Sequence, residues 1–372
     1  MKETNGQHII SLFEQWAPKS LAVDGDPVGL QIGTLNKSIT KVLVTLDVNL
    51  DTVEEAIQNG CELMIAHHPP IFRGLKNMRT DLPQGLLIEK LIKHDIAVYA
   101  AHTNLDIATG GVNDLLATAL ELENIDILEQ TTSEQLMKLA VFTPKESTEE
   151  VRTALSVAGA GEIGDYQSCS FTSSGEGRFK PSDAANPYIG QANELSLVEE
   201  DKIEVIFPTS MKNKVLKALL ANHPYEEPAY DLILLESEVN QLGLGRIGML
   251  PEKRTLAEYA QVVKQQLNAP FVRVVGDLTK EVQKVAVLGG DGNKYIQTAK
   301  RAGADVFITG DLYFHVAQDA EAIGLAVIDP GHHVEQIMKN GVAEYMTKVC
   351  NQNKLSVEFI PSNISTEPFQ LI

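Results

Sequence analysis

Asn59-Gly-Cys-Glu-Leu-Met-Ile-Ala-His67, set beside Ala302-Gly-Ala-Asp-Val-Phe-Ile-Thr-Gly310, is the pair of stretches on which the fold turns. Each reads as a helix end, a glycine, a small residue, an acid and a short apolar run. A glycine just past a helix supplies the left-handed residue that closes it. The unbroken apolar run marks a strand buried on both faces, as in a parallel sheet. A second overlay, Asp95-Ile-Ala-Val-Tyr99 on Gly324-Leu-Ala-Val-Ile328, extends the match.

The flanking sequence keeps the same rhythm. Lys41-Val-Leu-Val-Thr-Leu-Asp-Val48 is a buried strand, Asp51 caps a helix running to Asn59, and Gly60 ends it. Helices are expected at Leu86–His94 and Val112–Glu121, with a strand at Ala97–Ala101 between them. In the C-terminal third, strands are expected at Lys284–Gly290, Asp305–Thr309 and Leu325–Ile328, and helices at Asn293–Ala302 and Val334–Val349. This alternation predicts an α/β fold built of two pseudo-duplicated βαβ halves, with equivalent strand ends facing one cleft.

The middle of the chain differs. A strand (Leu139–Phe142), a helix (Thr148–Val157), a strand near Tyr166–Ser173, a Gly/Ser/Pro-rich loop (Ser174–Ala192), a strand (Lys202–Phe207), a helix (Lys212–Ala221) and a strand (Ala229–Leu234) follow in order. That β-α-β-β-α-β sequence is the ferredoxin-like split motif. The expected organisation is a first core half at 1–130, an inserted α+β domain at 131–240 and a second core half at 241–372.

The formal charge of −19 repels phosphate backbones and anionic membranes, so neither nucleic acid nor membrane is an expected partner. No stretch is long and apolar enough to span a bilayer. Three scattered cysteines, Cys61, Cys169 and Cys350, exclude a cysteine zinc site and fit a reducing, cytoplasmic setting.

Ligand-type side chains gather at predicted strand ends, where open parallel sheets place their sites. His67-His68-Pro69-Pro70 ends one strand. His102-Thr-Asn-Leu-Asp106 follows the next. Pro330-Gly-His332-His333-Val-Glu335-Gln336 follows a third. Residues three apart on a helix share a face, so His332 and Glu335 reach one point while His333 turns away. These clusters hold five of the nine histidines, a concentration that solvated strand ends do not explain. Several imidazoles with two carboxylates exceed the needs of one tetrahedral zinc and match two divalent ions. Imidazole with carboxylate suits zinc or iron, and also manganese. Asp106 is placed to bridge, His102 to orient a ligand, and Asp47 to line the cleft. Asp311 and His315 are expected to line the site or to sit at the surface rather than ligate. Asn113 and Asp114 read as helix-start residues, and Gly289-Gly-Asp-Gly292 as a turn able to cradle an anion.

Taken together, Asp26-Pro-Val-Gly-Leu-Gln31, His67-His68-Pro69, His102-Thr-Asn-Leu-Asp106, Thr309-Gly310-Asp311 and Gly331-His332-His333 resemble the NIF3-like family, whose members are also named GTP cyclohydrolase 1 type 2 homologues. The longer bacterial form, with an insert similar to PII/CutA-type domains, is the nearest pattern, and His223-Pro-Tyr-Glu-Glu-Pro-Ala-Tyr230 fits that insert. The resemblance implies a di-metal site held by His67, His68, Asp106, His332 and a glutamate, in a homohexameric toroid. Many members place that glutamate four residues after the histidine, where Gln336 stands. The preferred pair here is His332 with Glu335, the alternative being His333 in place of His332.

Two functions compete. One is a metal-dependent hydrolase acting on a nucleotide, as the family name suggests, or on another phosphorylated small molecule. The other is a non-catalytic metal-handling or regulatory toroid whose inserted domain binds a small ligand.

Overall fold

The structure, a computed structural model, describes residues 4–370, the side chains of Glu238 and Asn240 excepted. The chain divides into two compact units. One joins the chain up to Thr132 with the chain from Leu242 onward, and the other is Ser133–Gln241.

The first unit holds two sets of parallel strands. In one, β1 (Gly29–Ile32), β2 (Lys41–Thr45), β3 (Leu63–Ala66), β4 (Ala97–Ala100) and β13 (Glu358–Pro361) lie in the order β1-β4-β3-β2-β13. β13, β2, β3 and β4 are parallel, and β1 is an antiparallel edge. In the other, β10 (Glu281–Asp291), β11 (Val306–Gly310) and β12 (Ala326–Asp329) are parallel, and β9 (Arg273–Val275) is the antiparallel edge beside β12. The C-terminal part of β8 (Tyr230–Thr255) runs antiparallel to β10 on the far side. The orders β1-β4-β3-β2 and β9-β12-β11-β10 are the same pattern twice, each with an antiparallel edge strand that precedes its three parallel strands in sequence. The duplication therefore appears as two sheets of like topology rather than one.

Each parallel strand buries both faces. Val42, Val44, Leu63 and Ile65 of the first sheet share one core with Val285, Val287, Val306 and Ile308 of the second. Residues of α1 (Gly6–Trp16), α5 (Val112–Ala119), α8 (Leu256–Gln266) and α11 (Met338–Gln352) fill it. The alternate residues Leu43, Met64 and Val98 pack against α2 (Leu50–Asn59) and α3 (Pro83–Lys93). On the second sheet, Ala286, Phe307 and Val327 pack against α9 (Ile296–Arg301) and α10 (Phe314–Ala322). A short helix, α4 (Thr103–Ile107), follows β4.

Local signals explain several element ends and correct others. Gly60 closes α2 at φ +68°, as its place predicts. The cap at the other end is Asn49, in a reciprocal capping box with Thr52; Asp51 lies inside the first turn. The helix expected from Val334 begins instead as a 3₁₀ segment, His332–Ile337, and becomes α-helical at Met338.

The second unit runs β5 (Glu123–Pro144, from residue 133), α6 (Thr148–Val157), β6 (Phe171–Phe179), β7 (Ser196–Pro208), α7 (Lys212–Asn222) and the first part of β8. Its strand order is β6-β7-β5-β8, the ferredoxin-like arrangement. The strand at β6 continues through Ser174–Phe179, where a loop was expected. Gly177 lies close beneath Glu200 there, where a Cβ would stand 2.0 Å from the carboxylate and displace it. No helix among the described residues is long and apolar enough to cross a membrane.

Candidate metal centre

β3 delivers His67 and His68 as it ends, and the next parallel strand delivers His102 and Asp106. From the second sheet, β11 delivers Asp311 and β12 delivers His332 and Glu335. All converge. Ring centroids lie 5.0 Å apart for His67 and His68, 5.2 Å for His67 and His102, and 5.2 Å for His68 and His332.

Each imidazole is held by its Nδ1. His67 Nδ1 donates to the Ala101 carbonyl at 2.8 Å, and His68 Nδ1 donates to Asp47 Oδ1 at 2.7 Å. His102 Nδ1 donates to Asp26 Oδ1 at 2.9 Å, and His332 Nδ1 to Asp311 Oδ2 at 2.7 Å. Because carbonyls and carboxylates accept only, Nδ1 carries a proton in all four rings, which leaves Nε2 as the nitrogen a metal ion would take. Orientation of several histidines by outer oxygens is what metal-ligating imidazole requires. Asp311 holds its place at φ +53°, a left-handed conformation uncommon outside glycine.

The Nε2 atoms meet two carboxylates. Glu335 Oε2 lies 3.1 Å from His68 Nε2, 3.1 Å from His332 Nε2 and 3.8 Å from His67 Nε2. Asp106 Oδ1 lies 3.6 Å from His67 Nε2, too far for a hydrogen bond. Both of those last atoms are buried and without a hydrogen-bond partner. Ligand atoms around a tetrahedral ion bound at about 2.0–2.2 Å stand roughly 3.3–3.6 Å apart, so the 3.6 Å gap between His67 Nε2 and Asp106 Oδ1 suits an ion between them. Two donor sets, His68-His332-Glu335 and His67-Asp106-Glu335, can each take an ion and share Glu335. A third, His67-His68-His102, brings in the His102 ring that was expected only to orient. Glu335 is the carboxylate common to the first two sets, while Asp106 belongs to one of them.

The 3₁₀ turn explains the spacing. In a 3₁₀ helix residues i and i+3 eclipse, which stacks Glu335 directly over His332 more closely than an α-helix would. His333 turns away, and its Nε2 accepts from the Thr366 backbone at 3.3 Å. Gly289 and Gly290 leave room for this turn. A Cβ on Gly290, already at φ +63°, would stand 2.7 Å from Glu335 Oε1 and 3.3 Å from His332 Nε2. The segment is thus a clearance rather than an anion cradle, since Gly292 N–H donates to Thr309 Oγ1 and Asn293 N–H to Asp291. Asn113 also belongs to the frame. Its amide donates to the Asp106 carbonyl and its Oδ1 accepts from Gly289 N–H. His315 lies outside, exposed and bonded to Gln318.

Burial would lower the His68 pKa, but hydrogen bonds to Asp47 and Glu335 push it up to about 10. The bond to Glu335 raises His332 to about 9. Burial raises Asp106 to about 6 against the pull of His67. Burial opposes ionisation of Glu335, but its hydrogen bonds to His332 and His68 and the nearby His67 imidazole hold it well below the usual range. In the metal-free chain at pH 7, His68 and His332 therefore carry a second proton that an incoming cation must displace. Metal uptake is expected to release protons and to weaken as pH falls. Calorimetric titration in buffers of different ionisation enthalpy reads the release directly.

Asp47→Ala or Asp311→Ala should each weaken metal binding by about 10–100-fold by freeing one ring, with the fold retained. Chelator competition measures that loss.

The comparisons with known proteins agree on one assignment. A family profile described as Duf34/NIF3 (NGG1p interacting factor 3) matches residues 4–368. The chain belongs to the NIF3 family. A Bacillus subtilis relative, named GTP cyclohydrolase 1 type 2 homolog, is 56% identical over 371 residues and all of both chains. A Staphylococcus aureus relative of the same name is 38% identical over 364 residues, covering 98% of this chain and 99% of that one. Among solved structures, a Bacillus cereus protein related to NIF3 superposes at a TM-score of 0.95 with 51% identity, each chain covered in full. This NIF3 chain thus shares its architecture over its whole length, and its histidine and carboxylate groups form a possible metal site.

Proposed function

We propose that this NIF3 protein holds two divalent ions, zinc or iron by preference and manganese as a further fit, and uses them to hydrolyse a phosphorylated small molecule, a nucleotide among the first to test. His67, His68, Asp106, His332 and Glu335 are the proposed ligands. The observation that carries the reading is the facing pair of buried, partnerless atoms, His67 Nε2 and Asp106 Oδ1, beside a Glu335 oxygen shared by three imidazoles. Bound ions would acidify a water and stabilise an oxyanion.

A cleft of about 650 Å³ supports a substrate role. It is lined by His68 and His332 on the metal side and by Phe271, Phe369 and Arg273 elsewhere. The Arg273 side chain lines the cleft and is 58% exposed; its Nη2 is committed to Asp329 and the Leu312 carbonyl, which leaves its other N–H groups to meet a phosphate. The name carried by the relatives makes GTP ring opening one candidate reaction. The proposal extends to a cytoplasmic homohexameric toroid with a PII/CutA-like inserted unit, read from the family resemblance.

The test is protein loaded with defined metal, assayed on GTP and a phosphoester panel beside a His67→Ala, His68→Ala double variant, with elemental analysis of both. Two metals per chain, and turnover that disappears in the variant, are expected. Two exchangeable metals without turnover on any substrate would replace the hydrolase with a metal-handling role. One ion or none would sink the two-metal centre.

A further inference from the structure

The inserted unit holds a cavity of its own, about 520 Å³, which the metal chemistry does not use. That volume lies within the range of small-molecule sites. Its walls come from the end of β6, the following loop and the His223-Pro-Tyr-Glu-Glu-Pro turn. Three rings line it in tilted and edge-to-face arrangements. Tyr225 lies 5.9 Å from Phe179 and 6.3 Å from Tyr188 between centroids.

A carboxylate lies beside these rings. Glu200 is 9% exposed, and its Oε1 accepts the Tyr225 hydroxyl at 2.7 Å. Its Oε2 lies against Gly177, where a Cβ would displace it. The turn that carries Tyr225 is fixed. His223 Nε2 donates to the Phe142 carbonyl at 3.0 Å, and its Nδ1 accepts from Tyr225 N–H at 3.0 Å. Burial lowers the His223 pKa, which keeps the ring neutral for both bonds. The loop is also tied down. Glu226 accepts from Asn186 N–H at 3.1 Å, and the Tyr188 hydroxyl donates to Glu146 at 3.3 Å. The lining carries three carboxylates, Glu200, Glu226 and Glu227, against two cations, Arg178, which is paired with Glu176 outside the lining, and Lys180, so its balance is negative by one charge.

Aromatic faces attract cations, and a largely desolvated carboxylate is costly until a cationic N–H partner reaches it. We propose that this cavity is a binding site for a small organic cation bearing N–H donors, an amine or guanidinium compound, with Glu200 as the ion-pairing anchor and Phe179, Tyr188 and Tyr225 as the box around it. The site does not rest on the metal centre and stands or falls separately.

The test is calorimetric titration of the full-length protein with agmatine, which offers guanidinium and ammonium N–H groups, and with choline, which has a cationic head without N–H. Saturable agmatine binding, tighter than choline, is expected. Glu200→Gln should weaken it by about tenfold or more through the lost charged hydrogen bond. Tyr188→Ala should weaken it several-fold; its ring is 54% exposed, so the change leaves the core intact and keeps the test open should Glu200→Gln disturb the unit. No saturable heat with agmatine, choline bound as tightly as agmatine, or affinity unchanged in a folded Glu200→Gln protein would each overturn the proposal.

Discussion

Glu335→Gln is expected to reduce metal affinity by at least about 100-fold, the loss of a shared first ligand exceeding that of an outer partner. The carboxylate is 3% exposed, and one oxygen approaches three imidazole nitrogens. An amide of the same shape offers one neutral oxygen and turns an N–H₂ group toward atoms that need an acceptor or an ion. The isosteric change keeps the 3₁₀ turn and the packing over Gly289 and Gly290, so the effect isolates the charge. Two neighbours serve as controls. Gln336 stands four residues after His332, the spacing the family resemblance implies for the glutamate, and His333 bonds Thr366 on another side. Gln336→Ala and His333→Ala should therefore leave metal content at the wild-type level. Elemental analysis after dialysis against a competing chelator reads all three. Equal retention in Glu335→Gln and wild type would remove Glu335 from the ligand set.

The same turn shows where sequence reading works and where it stops. The central parallel strands are legible because an apolar run after a glycine-closed helix has few other meanings. The histidine clusters were legible because they stand at the ends of such runs. The edge strands were not. Arg273-Val-Val275 and Glu358-Phe-Ile-Pro361 are too short and mixed to show a period, and their pairing is set by neighbours distant in sequence. Nor could the partners of the imidazoles be read. Asp26 reaches His102, and Asp47 reaches His68, only once separate strands lie side by side. The overlay contained one further correspondence. Continued in register from Asp95 over Gly324, it lays Asp106 over Glu335. The two acids of the centre are thus equivalent positions of the two halves, and the site is built where the duplicated halves face each other.

Asp114→Ala is expected to cost about 3 kcal/mol, the low end of the range for stranding one member of a buried ion pair, because Arg246 is buried while the Asp114 side chain is 23% exposed. Arg246 is 4% exposed, and its Nε and Nη2 meet the two Asp114 oxygens at 2.6 and 2.8 Å. Its Nη1 donates to the Gly243 and Gly245 carbonyls at 2.9 and 2.8 Å. Removing the carboxylate leaves a guanidinium in the interior with two backbone acceptors and no counter-charge. The first unit should then unfold on the order of 10 °C earlier in a thermal scan. The consequence reaches the metal centre through one residue. Asp114 follows Asn113, which ties the Asp106 carbonyl to Gly289 N–H beneath Glu335. Loosening the start of α5 releases that tie, so metal affinity should fall together with stability. Asn113→Ala separates the two effects. It removes the tie while keeping the ion pair, and should lower metal affinity with a smaller loss of stability than Asp114→Ala. If Asn113→Ala binds metal as wild type does, α5 stabilises the fold without positioning the centre.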